Sequence, residues 1–222
     1  MSIKVNTSAD KDIALAQRKK QLRSECRTML ASLCMQQPSF VHDAGKRAVE
    51  HLMVTKLYTF CRAVFAFVSY GNEIDTRPLL NAVLADGKQL LLPRIIPDTN
   101  KMDFYAIDAA VPLVNQLETG SFGIKEPKGT LQKVVMRDFP RNALFIVPGL
   151  AFTVQGNRLG KGKGFYDRYI ATVKNEVASD RQPVASVGMG FEAQVVTDIP
   201  CDALDIPLTH LVTEESFYTC HQ

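Results

Sequence analysis

The chain has 222 residues, 46% of them hydrophobic and 22% charged, with a formal net charge of +3. This is ordinary globular composition, and the mild charge argues against a dedicated nucleic-acid binder, because the basic excess is local. Five scattered cysteines, odd in number and without C-x-x-C spacing, argue against a disulfide framework or zinc ribbon and for free thiols in a reducing compartment. No apolar h-region opens the chain, and no run approaches the ~20 residues of a membrane span. The expected location is the cytoplasm, with neither a membrane nor a nucleic-acid partner.

Residues 1–9 read as a frayed terminus. Over residues 10–35, Leu22, Cys26, Met29, Leu30 and Leu33 recur at three and four, predicting a helix with Arg18, Lys19, Lys20, Arg23 and Arg27 opposite. Pro38 and Ser39 are expected to end it and cap a second helix striped by Val41, Ala44, Ala48 and Leu52. "AVFAFVSY" (63–70) predicts a buried strand. A helix follows, capped by Thr76, with Pro78 in its first turn and Gly87 as its stop. Strands are predicted at 89–95 and 102–107, then a long loop over 108–140. "ALFIVPGLAF" (143–152) is the strongest strand signal. A short helix should begin near Tyr166, another strand span 183–190, and a last one at 209–215 close the sheet. Strands alternating with helices predict a single α/β domain with a mainly parallel sheet behind an N-terminal helical hairpin.

The strand at 143–152 runs into "GNRLGKGKGFYDR" (156–168), with four glycines and four basic residues in thirteen positions. Strand, glycine-rich turn and helix start together make an anion site: ligands collect at the carboxyl ends of parallel strands, and helix N-termini present unpaired N–H groups. Gly160, Gly162 and Gly164 permit close backbone approach; Arg158, Lys161 and Lys163 supply charge. The spacing matches neither a P-loop nor a dinucleotide fingerprint. Phosphate binding is favoured over a solvated basic turn. Asp167 reads equally as a first-turn acid paired with Lys or Arg and as a magnesium ligand. Asp205 alone is an ordinary loop acid that could join such a metal. Asp75 and Thr76 are most simply helix caps, whereas Glu73 lies too early to cap and is the better site candidate. The four histidines show neither ligand spacing nor a nucleophile partner.

The segment "VPGLAFTVQGNRLGKGKGFYDRY" resembles the signature of 5-formyltetrahydrofolate cyclo-ligases, also called 5,10-methenyltetrahydrofolate synthetases. "RKKQLR", "SYGNEIDTRPLL", "LLLPRI", "FGIKEP" and "DIPLTHLVT" fall in that family's order, so the resemblance covers about residues 18–215. It implies a Rossmann-like fold of the sugar-isomerase and CoA-transferase type, and an ATP- and Mg²⁺-dependent ligase of small-molecule substrates, expected to be monomeric. By the same resemblance, Lys19 and Arg23 contact nucleotide. Arg158, with Leu159, Gly160, Lys161, Gly162, Lys163, Gly164, Phe165 and Tyr166, forms the phosphate loop. Lys163 lies closest to the transferring phosphoryl group, with Arg158 beside it, and Asp167 and Asp205 hold the metal. Glu73, Val68, Phe122 and Tyr166 contact folate. Two departures stand out: Phe165 replaces the commoner tyrosine, and Thr153 replaces a frequent aspartate. A non-catalytic nucleotide- or folate-binding regulator is the competing reading, and an RNA-binding module is disfavoured for want of an aromatic stacking platform.

Overall fold

The computed structural model describes residues 8–183 and 185–221. Two long helices, α1 (Ser8–Gln36) and α2 (Pro38–Met53), pack as the expected hairpin, joined through Gln37. Residues 1–7 of the expected frayed terminus lie outside the described residues; Ser8 and Ala9 are already helical. Ser39 makes no cap bond, a correction to its predicted role: Gln37 is the N-cap, and Pro38 occupies the first helical position, where a missing N–H goes unnoticed. A short helix α3 (Lys56–Phe60), capped by the Thr55 hydroxyl, leads into the sheet.

Seven strands form the main sheet in the order β11-β10-β9-β6-β1-β2-β3. Strands β1 (Ala63–Phe65), β2 (Gln89–Ile95), β6 (Ala143–Val147), β9 (Ala185–Met189) and β10 (His210–Val212) run parallel. The two edges, β3 (Met102–Ala106) and β11 (Phe217–Thr219), are antiparallel. Helix α4 (Arg77–Ala85) crosses from β1 to β2, and α6 (Phe165–Glu176) precedes β9. The chain is thus a layered α/β fold with a mainly parallel sheet. No helix among the described residues is long and apolar enough to cross a membrane.

The continuous apolar runs follow from burial of both faces. Successive residues alternate, so Val64, Leu90 and Leu144 face the layer of α1, α2 and α4, while Phe65, Leu91 and Phe145 face α6. On the α6 side Phe65 is fully buried, its ring 4.4 Å from Phe145 and 5.0 Å from both Phe104 and Phe139. Removing a ring at such a hub leaves a cavity that rigid neighbours cannot close. Phe65→Ala is therefore expected to lower unfolding free energy by about 3–5 kcal/mol, read as a shifted urea midpoint at unchanged slope.

Several predicted boundaries move for identifiable reasons. The strand predicted over 63–70 ends at Phe65. Beyond it the Thr76 hydroxyl donates to Phe67 O at 2.8 Å and accepts from Ser69 N at 3.0 Å, taking the place of a neighbouring strand. Thr76 is therefore a loop clasp, with no side-chain bond to the α4 terminus. The predicted strand 143–152 breaks at Pro148 and Gly149 into β6 and β7 (Ala151–Phe152), which pairs antiparallel with β8 (Arg158–Leu159). The predicted loop 108–140 contains α5 (Leu113–Gln116) and a small hairpin of β4 (Leu117–Thr119) and β5 (Lys125–Pro127). Gln116 organises it: its buried amide donates to Asp108 O and Val111 O and accepts from Asp108 N, all at 2.8 Å. Finally, β10 does not close the sheet. Thr213 accepts from Glu215 N and Ser216 N, turning the chain so that β11 becomes the edge.

Candidate active site

The carboxyl ends of β1, β2 and β6 open into a cavity of about 380 Å³, within the usual range for a small-molecule site. Two features position its basic wall. Gly149 is required because a β-carbon there would lie 2.7 Å from the Phe152 ring and 3.2 Å from Arg158 Cγ. Gly156, at φ +96°, lets the β7–β8 turn pass against Leu208 O, 2.3 Å from where a β-carbon would sit. Thr153 is buried in that turn, and its hydroxyl accepts from Asn157 N at 3.1 Å.

Arg158 emerges from β8 almost wholly buried. Its Nη2 donates to both oxygens of Asp167 at 2.8 Å, and Nη1 to Pro148 O at 3.3 Å, while the Nε–H has no partner among the described residues. Gly162 and Gly164 carry φ of +103° and +64°, and Gly164 is the N-cap from which α6 starts. From outside, α1 holds the loop: Arg23 Nε donates to Gly160 O at 3.0 Å and Arg27 Nη2 reaches Lys161 O at 3.5 Å. Lys161 Nζ pairs with Glu73 Oε1 at 2.6 Å and lies over the Tyr70 ring, while Glu73 Oε2 accepts from Tyr70 N at 2.9 Å. Lys163 differs from both. Its carbonyl accepts from Arg168 Nη2, and its ammonium pairs with no carboxylate among the described residues.

Most of the residues singled out from sequence meet here. Arg158, Gly160, Lys161, Lys163, Gly164 and Asp167 line the cavity, as do Val68, Glu73, Phe122, Phe165 and Tyr166. Burial and the Glu73 charge push the Tyr166 phenol up, so it stays neutral and can act as a hydrogen-bond donor. Leu159, Gly162, Lys19, Arg23 and Asp205 do not line the cavity. Leu159 is a core side chain whose carbonyl accepts from Leu150 N, so its place in the loop is through backbone alone.

Lys19 lies behind the loop, donating to Asp202 at 2.7 Å and Asp205 at 2.5 Å. Burial alone would lower the Lys19 pKa; the bonds to the two aspartates outweigh it and hold the ammonium above its usual range. Asp205 also accepts from Asp202 N at 2.8 Å. The Asp205 segment passes beside Asp167, since Ile206 N donates to Asp167 Oδ1 at 3.3 Å, while the Asp205 carboxylate itself is held by Lys19. Among the described residues no group of three or more His, Cys, Asp or Glu side chains could hold a metal. A pair of acids still suits Mg²⁺, which takes one or two carboxylates and completes its shell with phosphate oxygens and water.

Sequence reasoning missed the apolar wall of Phe67, Ile95, Met102 and Ile124, and also Lys125 and Glu126. The available signal was the end of β2 facing the start of β3, which the Ile95–Met102 pairing brings to the same rim. Asp75, expected as a cap, does accept from Arg77 N at 2.9 Å, but it is buried and also bonds Arg77 Nη2 and His42 Nδ1, each at 2.7 Å. It fixes α2 to the segment that carries Glu73. Burial pushes its pKa up, but the bonds from Arg77 and His42 prevail and leave it below the usual carboxylate range. Its stabilisation is therefore present above the unfolded pKa and lost as pH falls through the depressed folded one. Asp75→Asn is expected to cost about 2 kcal/mol at pH 7 and to make urea midpoints less sensitive to acid below pH ~4.

A model of the 5-formyltetrahydrofolate cyclo-ligase family matches residues 15–214. The chain belongs to that family. It is thereby an enzyme of the ligase class. Among its curated relatives, the 5-formyltetrahydrofolate cyclo-ligase of Escherichia coli is 32% identical over 79% of this chain and 91% of that protein. The Haemophilus influenzae protein of the same name is 29% identical over 86% and 95%. The structure of an Aquifex aeolicus 5,10-methenyltetrahydrofolate synthetase superimposes with a TM-score of 0.70 at 28% identity, covering 92% of this chain and 93% of that one. A Mycoplasma pneumoniae structure, at 18% identity and a TM-score of 0.60, shares the cyclo-ligase fold over 88% of this chain and 98% of its own.

Proposed function

We propose that this cyclo-ligase converts 5-formyltetrahydrofolate to 5,10-methenyltetrahydrofolate with ATP and Mg²⁺, releasing ADP and phosphate. The observation that carries the reading is that a cationic glycine loop and an apolar, aromatic wall share one cavity whose lining includes no serine, threonine, cysteine or histidine among the described residues. A lining without serine, threonine, cysteine or histidine suits a reaction whose nucleophiles both belong to the substrate.

The chemistry then divides simply. The formyl group on a ring nitrogen is an amide and a poor electrophile. Attack of its oxygen on the ATP γ-phosphorus breaks the bond to the ADP oxygen and makes the formyl oxygen a leaving group. The folate's second nitrogen attacks the activated carbon, closes a five-membered ring and gives up its proton. Loss of the phosphorylated oxygen as phosphate leaves the methenyl cation. What the chain supplies is placement and charge. Lys163, which pairs with no carboxylate among the described residues, faces the charge that grows on the transferring group, and Arg158 offers its Nε–H nearby. Glu73 can accept from the amide and amino edge of the pterin, releasing Lys161 toward phosphate. Asp167 and Asp205 would hold the magnesium ion, which neutralises phosphate charge when bound. Lys19 and Arg23 are assigned to the nucleotide from the α1 side.

Mixing the protein with Mg-ATP and 5-formyltetrahydrofolate is expected to produce the methenyl chromophore, and omitting magnesium to abolish it. Ligand binding without the chromophore would favour a regulatory binding protein and overturn the enzymatic reading.

A further inference from the structure

Glu126 is an acid that the mechanism does not use, yet it lines the cavity and is only 3% exposed. A buried carboxyl normally has a cation against it. Here the adjacent Arg94 is committed elsewhere, to Glu118 Oε1 at 2.5 Å and Pro127 O at 2.7 Å. The hydrogen-bond partner of Glu126 is a backbone donor instead: Ile95 N, at the end of β2, donates to Oε1 at 3.4 Å. The turn at 120–124 wraps directly over it, since a β-carbon at Gly120 would fall 2.1 Å from Oε2.

The tip of that turn is Phe122. It combines a left-handed backbone, φ 59° and ψ 16°, with 64% exposure, and its ring borders the cavity. A left-handed non-glycine residue persists only where its surroundings over-determine it. With so much of the ring exposed, little side-chain packing can do so. The local turn bonds, Gly120 N to Ile124 O at 2.8 Å and Ile124 N to Ser121 O at 3.2 Å, close the loop on itself without tying it to the sheet. Arg94 ties the flanking strands to β2 through Glu118 and Pro127, and Glu126 provides the tie beneath the turn itself.

We propose that Glu126 is a positioning residue that anchors the 120–124 turn to β2 and thereby holds Phe122 against the ring system of the folate substrate. This rests on the folate reading above. Burial raises the Glu126 pKa, opposed by the Ile95 and Ser121 N–H groups and the Arg94 charge, with Glu118 adding to the rise. A carboxyl kept there against the cost of burial is explained by an anchor that accepts the Ile95 N–H of β2 and lies directly beneath the turn at Gly120.

The chain contains no tryptophan, so Phe122→Trp installs a sole reporter at the tip. In that background, Glu126→Ala is expected to raise acrylamide quenching about twofold or more, as the anchored turn is released. Glu126→Gln, which keeps the shape and one acceptor oxygen, should fall between; it carries the test if the alanine variant fails to fold. Separately, Phe122→Ala and Glu126→Ala should each raise KM for 5-formyltetrahydrofolate about tenfold, and the double variant no further. Unchanged quenching in both Glu126 variants, or losses that multiply in the double variant, would overturn the proposal. Turnover by the unaltered protein separates the cases. If it is absent, the folate reading falls and the substrate role of Phe122 with it; if it is present, a failed test condemns the anchor alone.

Discussion

Lys163→Ala is expected to lower kcat by about 10²–10³-fold while leaving KM for 5-formyltetrahydrofolate within about threefold. The contrast follows from the three cations that line the cavity at its basic loop. Arg158 is matched to Asp167 and Lys161 to Glu73, whereas Lys163 has no carboxylate partner among the described residues. Its charge is therefore fully available to a group becoming more negative. At 4 Å and an effective dielectric of ~20, that attraction is about 4 kcal/mol, enough for the upper end of the range. The loop does not depend on the side chain. Its geometry comes from the positive φ of Gly162 and Gly164 and from the bonds of Arg23 and Arg168 to loop carbonyls. Because Lys163 is exposed, stability should change by less than about 0.5 kcal/mol. Steady-state kinetics with each substrate varied in turn will decide; an equal fall in folate affinity would remove the role assigned to Lys163.

Arg158→Lys is expected to damage both stability and nucleotide use, although it conserves charge. The guanidinium makes three hydrogen bonds from a nearly fully buried position, two of them through Nη2 to Asp167. An ammonium is a point charge on a differently shaped stem and cannot reproduce the fork or the spare Nε–H. Weakening a buried pair leaves the acid undercompensated, here by about 1–3 kcal/mol, since the cation is moved rather than removed. One charge-assisted contact to phosphate is worth a similar amount, so KM for ATP should rise about ten- to a hundredfold. Denaturant titration and ATP kinetics report the two effects separately. An unchanged unfolding midpoint would contradict the importance of the Asp167 pair, and an unchanged KM for ATP would contradict the phosphate contact.

Much of this site was legible in one segment because its chemistry is carried by backbone and charge. Gly160 and Gly164, Arg158, Lys161, Lys163 and Asp167 are contiguous, and a strand before them with a helix after leaves little freedom in where they sit. Asp167 illustrates the limit. The sequence left it between an ion pair and a metal ligand, and the structure pairs it with Arg158 while setting it beside the Asp205 segment, a neighbourhood compatible with either use. The apolar wall was harder to read because Phe67, Ile95 and Met102 look like any core residue until the sheet order brings their ends together. Side-chain clasps were hardest of all. Thr76 ends β1 and Gln116 builds the 108–116 segment through single polar groups acting on distant backbone, which periodicity does not register. The edge strand β11 escaped for a similar reason, since three residues after a threonine-centred turn give too short a pattern.

The proposed chemistry depends on phosphorylation of the formyl oxygen within this cavity before the ring closes. Substrate labelled with ¹⁸O in the formyl group tests it most directly, with the released phosphate analysed by mass spectrometry. One ¹⁸O is expected in each phosphate formed, at a yield equal to that of the methenyl product. Unlabelled phosphate accompanying full methenyl formation would contradict it.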